Sequence, residues 1–291
     1  LNTMRASDVG DLLRVGQWYK NLVVFLALFF TNNVFNAPLL GKSILAFLSL
    51  CLVSSSYYIL NDIRDRKTDM KHPEKRDRAL ASGRVSVGAG YLLGGILLVA
   101  SVILAYQLSP SFILFVIALF VSSSAYNLWL RDVAFVDLHV IAINFLMRAV
   151  AGSVAIDVPS SPWLITTVFF TALLLGLSKR RAELTLLEGD AIKFKGVYAV
   201  YTKQLLDVCI AVTATTLLIA YILYTFFVHQ GGYLMVTIPF ASFVIFRYIH
   251  LGQVNHVAAR KTSRLFFDRQ IAIALILWAA VTFYILYMVR V

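Results

Sequence analysis

The chain has 291 residues, of which 60% are hydrophobic, and carries a formal net charge of +11. Its mean hydropathy of +0.80 lies far from the half-apolar usage of soluble domains and excludes both a soluble globular protein and a disordered one. The chain reads as a membrane protein.

A transmembrane helix needs about 20 apolar residues. Continuous runs predict nine spans, centred on residues 22 to 38, 41 to 60, 87 to 107, 111 to 130, 134 to 156, 162 to 178, 206 to 228, 233 to 250 and 270 to 289. No charged residue occurs between Val85 and Leu130, so two helices fit there, broken near Ser109, Pro110 and Ser111. Barrel strands would alternate every second residue, whereas "ILAFLSLCLVSSSYYIL" and "IAIALILWAAVTFYILYMV" are apolar throughout. The expected fold class is therefore an all-α membrane protein.

The first span has basic residues ahead of it, but "FFTNNVFNAPL" offers no small-residue cleavage site, so it reads as a retained helix. Cys51 and Cys209 fall inside spans with no His or acid arranged around them and read as packing residues. Polar loops after spans 2 and 6 hint at a two-part organisation.

Basic residues concentrate on the cytoplasmic side of membrane proteins. With the N-terminus in the cytoplasm and the C-terminus outside, 23 of the 26 Lys and Arg fall on the cytoplasmic side, against Lys42 and Arg290 opposite and Arg148 within span 5. The positive charge is accounted for in this way, and nucleic acid need not be invoked as a partner.

Span 2 is followed by "YILNDIRDRKTDMKHPEKRDRALASGRVS", residues 58 to 86, with eight Lys or Arg and five Asp or Glu. Asp62, Asp65 and Asp69 stand at i, i+3 and i+7, and Asn61 is four residues before Asp65. If span 2 continues as a helix, all share one face. Stacked like charges repel, and a divalent cation removes that penalty. Mg²⁺ takes oxygen ligands, one or two carboxylates together with substrate phosphates. Lys71, His72, Lys75, Arg76, Arg78 and Arg84 follow, the groups that phosphate oxygens need. The bland alternative is a solvated loop of mixed charge.

"NDIRDRKTD" resembles the N-D-x-x-D-x-x-x-D signature of the UbiA superfamily of intramembrane prenyltransferases. "KRDRALASGRVS" is similar to the K-R-x-x-R-P-x-x-S-G segment of that family, with Ala79 in place of Pro. The resemblance implies a nine-helix bundle around a cytoplasm-facing cavity, with residues 1–21 as a cytoplasmic segment and 22–291 as one transmembrane catalytic domain. It also implies one or two Mg²⁺ ions on a diphosphate, with Asn61, Asp62, Asp65 and Asp69 as catalytic residues and the three aspartates as metal ligands.

Prenyl-transferring members usually carry a second aspartate-rich motif after span 6. Here that place reads "LSKRRAELTLLEGD", led by Lys179, Arg180 and Arg181 with Glu183 as the nearest acid. Cations can hold phosphate without a metal intermediary. With "VGQWYKN" and "IPFASFVIFRY", this pattern is similar to the branch of decaprenyl-phosphate phosphoribosyltransferases. That branch implies transfer of 5-phosphoribose from phosphoribosyl pyrophosphate to a polyprenyl phosphate, at the cytoplasmic membrane. Lys20, Lys75, Arg76, Arg78, Lys179 and Arg180 are the phosphate-binding candidates. Gln17, Asn21, Tyr126, Arg131, Arg148 and Glu183 are pocket candidates. Tyr126 and Arg131 match a Y-x-x-x-x-[KR] feature, with an interfacial tyrosine and a snorkelling arginine as the alternative. Arg148 is singled out because charge inside a span is costly, with an ion pair to Asp137 or Asp132 as the duller reading. His139 reads as a hydrogen-bonded histidine rather than a ligand. Two other functions stay open, prenyl transfer to an aromatic or other small acceptor, and lipid transport without chemistry. Oligomeric state is open.

Overall fold

The computed structural model describes residues 6–71, 75–187, 196–227, 232–254 and 268–288, which are helical with no strand among them. His72, Arg290 and most of the basic connection before the last span lie outside the described residues. The helices are α1 (Ala6–Leu13), α2 (Leu26–Phe30), α3 (Ala37–Asp69), α4 (Val87–Tyr106), α5 (Pro110–Leu128), α6 (Val136–Ala155), α7 (Pro162–Leu187), α8 (Lys203–Phe227), α9 (Ile238–Val254) and α10 (Arg269–Met288).

Among the described residues eight spans are long and apolar enough to cross a membrane: α3 to α8, α9 with the 3-10 turn Tyr233–Thr237 before it, and α10. The first expected span differs. Instead of one α-helix over 22 to 38, the chain forms an eleven-residue 3-10 stretch, Val15–Phe25, running into the five residues of α2. A 3-10 turn rises about 2.0 Å per residue against about 1.5 Å for α. This shorter apolar segment therefore extends roughly 30 Å, close to the hydrocarbon thickness.

Helix α3 starts where Asn36 accepts from the Leu39 amide at 3.3 Å, with Pro38 in its first turn. Its 33 residues reach about 50 Å at 1.5 Å per residue. The part that carries Asn61, Asp62, Asp65 and Asp69 is thus an uninterrupted continuation of the span. Arg64 on the same stretch donates to the carbonyls of Asn127 and Leu128, satisfying the open C-terminal end of α5.

The chain divides into two compact units, residues 1–128 with 147–159 and residues 129–146 with 160–291. In the first, Val24, Leu50, Val53, Phe112, Val116 and Leu119 form one buried cluster, and Leu12, Ile59, Leu80, Val85 and Leu97 another. Small polar residues bring α3 and α4 together. Ser49 donates to the Ser101 carbonyl at 2.9 Å, Ser101 returns the bond to Ser49 O at 2.8 Å, and Ser56 donates to Gly94 O at 2.8 Å. Hydrogen bonds and close backbone approach are what hold helices together where lipid removes the hydrophobic drive between them. In the second unit, Leu138, Leu173, Leu177, Leu206, Ile210 and Tyr248 form the core. Leu92, Ile96, Val99, Leu114 and Val121 stay exposed, as expected of helix faces that meet lipid tails.

Gly152 on α6 lies against the 3-10 stretch so closely that a Cβ there would sit 2.1 Å from the Val24 carbonyl oxygen. Backbone cannot yield as a side chain can. Gly152→Ala is therefore expected to destabilise by about 2 kcal/mol through overpacking, read as a lower melting temperature of the detergent-purified protein. An unchanged melting curve would refute the close approach.

Candidate functional site

Around α3 the acidic face is met by guanidinium groups from two other segments. Asp62 and Asp69, 5% and 3% exposed, both accept from one atom, Arg78 Nη1, at 3.0 and 2.7 Å. Arg14 adds a second cation to Asp62, with Nε 3.2 Å from Oδ2 and Nη2 on Oδ1. Lys75 Nζ lies 3.8 Å from Asp69 Oδ1. Two buried carboxylates are tolerated because cations and hydrogen bonds compensate them.

Local chain geometry places both arginines. Arg14 takes the left-handed conformation, φ 48°, at the break between α1 and the 3-10 stretch. Its guanidinium also lies 5.0 Å above the Tyr58 ring. Arg78 is held by a closed loop in which its carbonyl accepts from the Ser82 amide at 2.8 Å and the Ala79 carbonyl accepts from Val85 at 3.0 Å. Ala79 and Leu80 are buried beneath it, so Ala79 serves where the family's Pro would stand. Arg84 clasps α1 to this loop through Asp8, through Asp11 at 2.9 Å and through the Asp77 carbonyl at 2.6 Å. These elements enclose a cavity of about 380 Å³ lined by Asp11, Arg14, Gln17, Asp62, Arg78 and Ala79, among others.

A second polar cluster in the same unit is buried in the helices. Arg148, 4% exposed, donates from Nε to Asn21 Oδ1 at 2.8 Å and from Nη2 to the Tyr57 hydroxyl at 2.9 Å. Asn21 in turn donates to Cys51 Sγ at 3.2 Å. Lys20 is the neighbouring residue and half-buried. Trp18 donates to Ser55, which donates to the Leu13 carbonyl, at 3.1 and 2.6 Å, fixing the 3-10 stretch against α3.

In the second unit Arg180 is not an open cation. It donates from Nε to Asp137 Oδ2 and from Nη1 to Glu183 Oε2, both at 2.9 Å, with only 4% of its side chain exposed. Tyr201 donates to Asp137 Oδ1 at 2.7 Å while accepting from the Phe135 amide at 2.6 Å, and Tyr198 donates to Glu183. Burial, followed by these carboxylates, raises both phenols above their ordinary range, so they stay protonated donors. Arg181 pairs with Asp207 at 2.5 Å. Lys179 is exposed, 4.0 Å from Glu183. Arg131 lies 3.5 Å from Asp132, Tyr126 and Asp65 are half-buried and Arg76 is exposed. His139 donates from Nδ1 to the Phe135 carbonyl, 2.8 Å away, a hydrogen-bonded residue as its sequence context indicates.

The donor set fits Mg²⁺. Asp62 and Asp69 already converge on one cationic nitrogen, and the Asn61 side-chain oxygen is buried with no hydrogen-bond partner among the described residues. Two carboxylates and an amide oxygen suit a hard ion that completes its shell with water and phosphate. Asp65 is half-buried on the same helix. Among the described residues no three His, Cys, Asp or Glu side chains gather closely enough to form a ligand group.

Sequence reading missed Arg14 as a partner of Asp62, the Asp8 and Asp11 clasp, and the tyrosines of the Arg180 network. The left-handed break at Arg14 leaves no sequence signal, whereas "YAVY" after a basic cluster could have suggested hydroxyl donors.

In fold, the chain is similar to a UbiA homologue from Archaeoglobus fulgidus bound to GPP and Mg²⁺, with a TM-score of 0.73 over 96% of this chain and 99% of that one at 17% identity. A UbiA homologue from Aeropyrum pernix is also similar, at a TM-score of 0.63, covering 94% and 99% of the two chains at 16% identity. Eight apolar helices in this fold define a multi-pass membrane protein. The profile of the UbiA prenyltransferase family matches residues 21–271, and the chain belongs to that family. It is 34% identical over 218 residues to the decaprenyl-phosphate phosphoribosyltransferase of Mycolicibacterium smegmatis, covering 74% of this chain and 69% of that protein. The enzyme of the same name from Corynebacterium glutamicum is 29% identical over 246 residues, covering 81% and 74%. The chain is a transferase.

If Arg180 braces the second unit, Arg180→Gln strands the buried Asp137 carboxylate and should cost about 3 kcal/mol or more, read by thermal unfolding in detergent. Unaltered melting with a raised KM would instead return Arg180 to phosphate binding.

Proposed function

We propose that this transferase moves the 5-phosphoribosyl group of phosphoribosyl pyrophosphate to a polyprenyl phosphate of decaprenyl type and releases diphosphate. The observation that carries the reading is the cavity of the first unit, where two buried carboxylates meet Arg14 and Arg78. The names of the relatives that align over most of the chain support the substrates.

Bound Mg²⁺, one or two ions, would supply charge neutralisation to the departing diphosphate. Asp62, Asp69 and Asn61 are the residues to hold it, with Asp65 beside them on the helix. Arg14, Arg78, Lys75 and Arg76 present donors to phosphate oxygens and stabilise charge that grows on them. Tyr57 and Asn21 fix the Arg148 guanidinium in one orientation, so it can face an anion without reorganising. The lipid phosphate is ionised at neutral pH and needs no dedicated general base. Gln17 lines the cavity and can donate to ribose hydroxyls. Lys179, exposed on α7, can also reach phosphate, whereas Arg180 is kept as a brace.

We read Val15–Phe30 as the ninth span, with the N-terminus in the cytoplasm, the C-terminus outside, and the site on the cytoplasmic side of the cell membrane. The basic-residue bias and the length of the 3-10 stretch support this reading. Single cysteines at Asp11 and at Met288 should then react with an impermeant maleimide from opposite sides of sealed vesicles. Labelling from the same side would reject the ninth span.

The function is tested with detergent-purified protein and Mg²⁺. One tube receives labelled phosphoribosyl pyrophosphate and polyprenyl phosphate, and a parallel tube receives a prenyl diphosphate and an aromatic acid. Label should enter lipid in the first tube only, and Asp62→Asn should lower that rate by roughly a hundredfold or more while the protein remains folded. Product in the second tube alone would move the chain to the prenyl-transferring members. Uptake into proteoliposomes without a covalent product would make it a transporter.

A further inference from the structure

We propose that Arg78 is the resident cation of the aspartate pair, and that a metal ion enters only as this guanidinium passes from the carboxylates to an incoming diphosphate. The inference rests on the function proposed above and adds a coupling between its two ligands.

One nitrogen, Nη1, bonds Asp62 Oδ1 at 3.0 Å and Asp69 Oδ2 at 2.7 Å. The point where a cation bridging these two oxygens would lie is therefore taken by Arg78 itself. Around the pair, two negative charges are met by three positive ones, from Arg14, Arg78 and Lys75. Adding a divalent ion to that cluster without an anion brings like charges together at contact distance, which is unfavourable even with partial screening. An arriving diphosphate reverses the balance, because it accepts the displaced guanidinium and also ligates the metal.

The local structure permits the exchange. The backbone under Arg78 is anchored by buried Ala79 and Leu80 and by the bond between the Arg78 carbonyl and Ser82. Its side chain is 31% exposed and borders the cavity. The guanidinium can therefore swing toward the cavity while the loop stays closed. Arg14 cannot substitute for it, since its contacts reach only Asp62.

The test is binding of Mn²⁺, a spectroscopic substitute for Mg²⁺, to the full chain in detergent, followed by electron paramagnetic resonance with and without inorganic pyrophosphate. Without pyrophosphate, Arg78→Met should bind Mn²⁺ about tenfold more tightly than the unaltered chain, because the competing occupied state is removed. With pyrophosphate present the advantage should disappear or reverse. Equal or weaker Mn²⁺ binding by Arg78→Met in the absence of pyrophosphate overturns the inference. Asp69→Asn separates the two levels. Loss of Mn²⁺ in that variant with no gain in Arg78→Met sinks the exchange alone, whereas Mn²⁺ binding unchanged in Asp69→Asn sinks the metal reading and the exchange with it. Should Arg78→Met fail to fold, phenylglyoxal labelling of the unaltered chain decides the matter by peptide mass spectrometry. Labelling of Arg78 should be unchanged by Mn²⁺ alone and should change only when Mn²⁺ and pyrophosphate are present together, and labelling that changes with Mn²⁺ alone overturns the proposal.

Discussion

Asp62 and Asp69 lie one above the other on α3, two turns apart and almost wholly buried, and such a pair keeps its charge only while cations stand against it. Much of the first unit follows from that requirement. The loop after α3 turns back on itself to bring Arg78 to both carboxylates. The N-terminal segment breaks at Arg14 in a left-handed conformation to bring a second guanidinium. Arg84 ties α1 to the returning loop, and Leu12 packs into the cluster formed by Ile59, Leu80 and Val85. Three segments thus meet at the end of one helix.

Arginine-carboxylate pairing serves a different purpose in each unit. In the second unit Arg180 is enclosed by Asp137 and Glu183, and Tyr198 and Tyr201 donate to the same carboxylates. Donors and acceptors are matched within the cluster, which is what a low-dielectric interior demands. That network ties α6, α7 and the segment after α7 together. In the first unit the cluster borders a cavity and leaves the Asn61 oxygen without a partner.

Membrane packing explains why polar detail recurs elsewhere in the first unit. Ser49 and Ser101 exchange hydroxyl-to-carbonyl bonds, and Ser56 reaches Gly94, since apolar side chains alone cannot tell a helix neighbour from lipid. Gly152 lets α6 touch the backbone of the 3-10 stretch at Val24. The same stretch carries Asn21, which orients Arg148 across a separation of 127 residues.

Sequence alone determined what depends on short range. Continuous apolar runs specify membrane helices, and the spacing of Asp62 and Asp69 puts them on one face because α3 continues unbroken past its apolar part. The N-D-x-x-D-x-x-x-D pattern was enough for the family. Tertiary structure decided the partners. Arg14 lies 48 residues from Asp62 and Arg84 lies 76 from Asp8, distances over which a charge pattern says nothing about pairing. It set Arg180 between Asp137 and Glu183, and joined Asp62 and Asp69 through one nitrogen of Arg78. It also replaced an expected α-helical first span with a 3-10 stretch. Periodicity reports which face a residue occupies, whereas the choice of counter-ion is made by the fold that brings distant segments to one place.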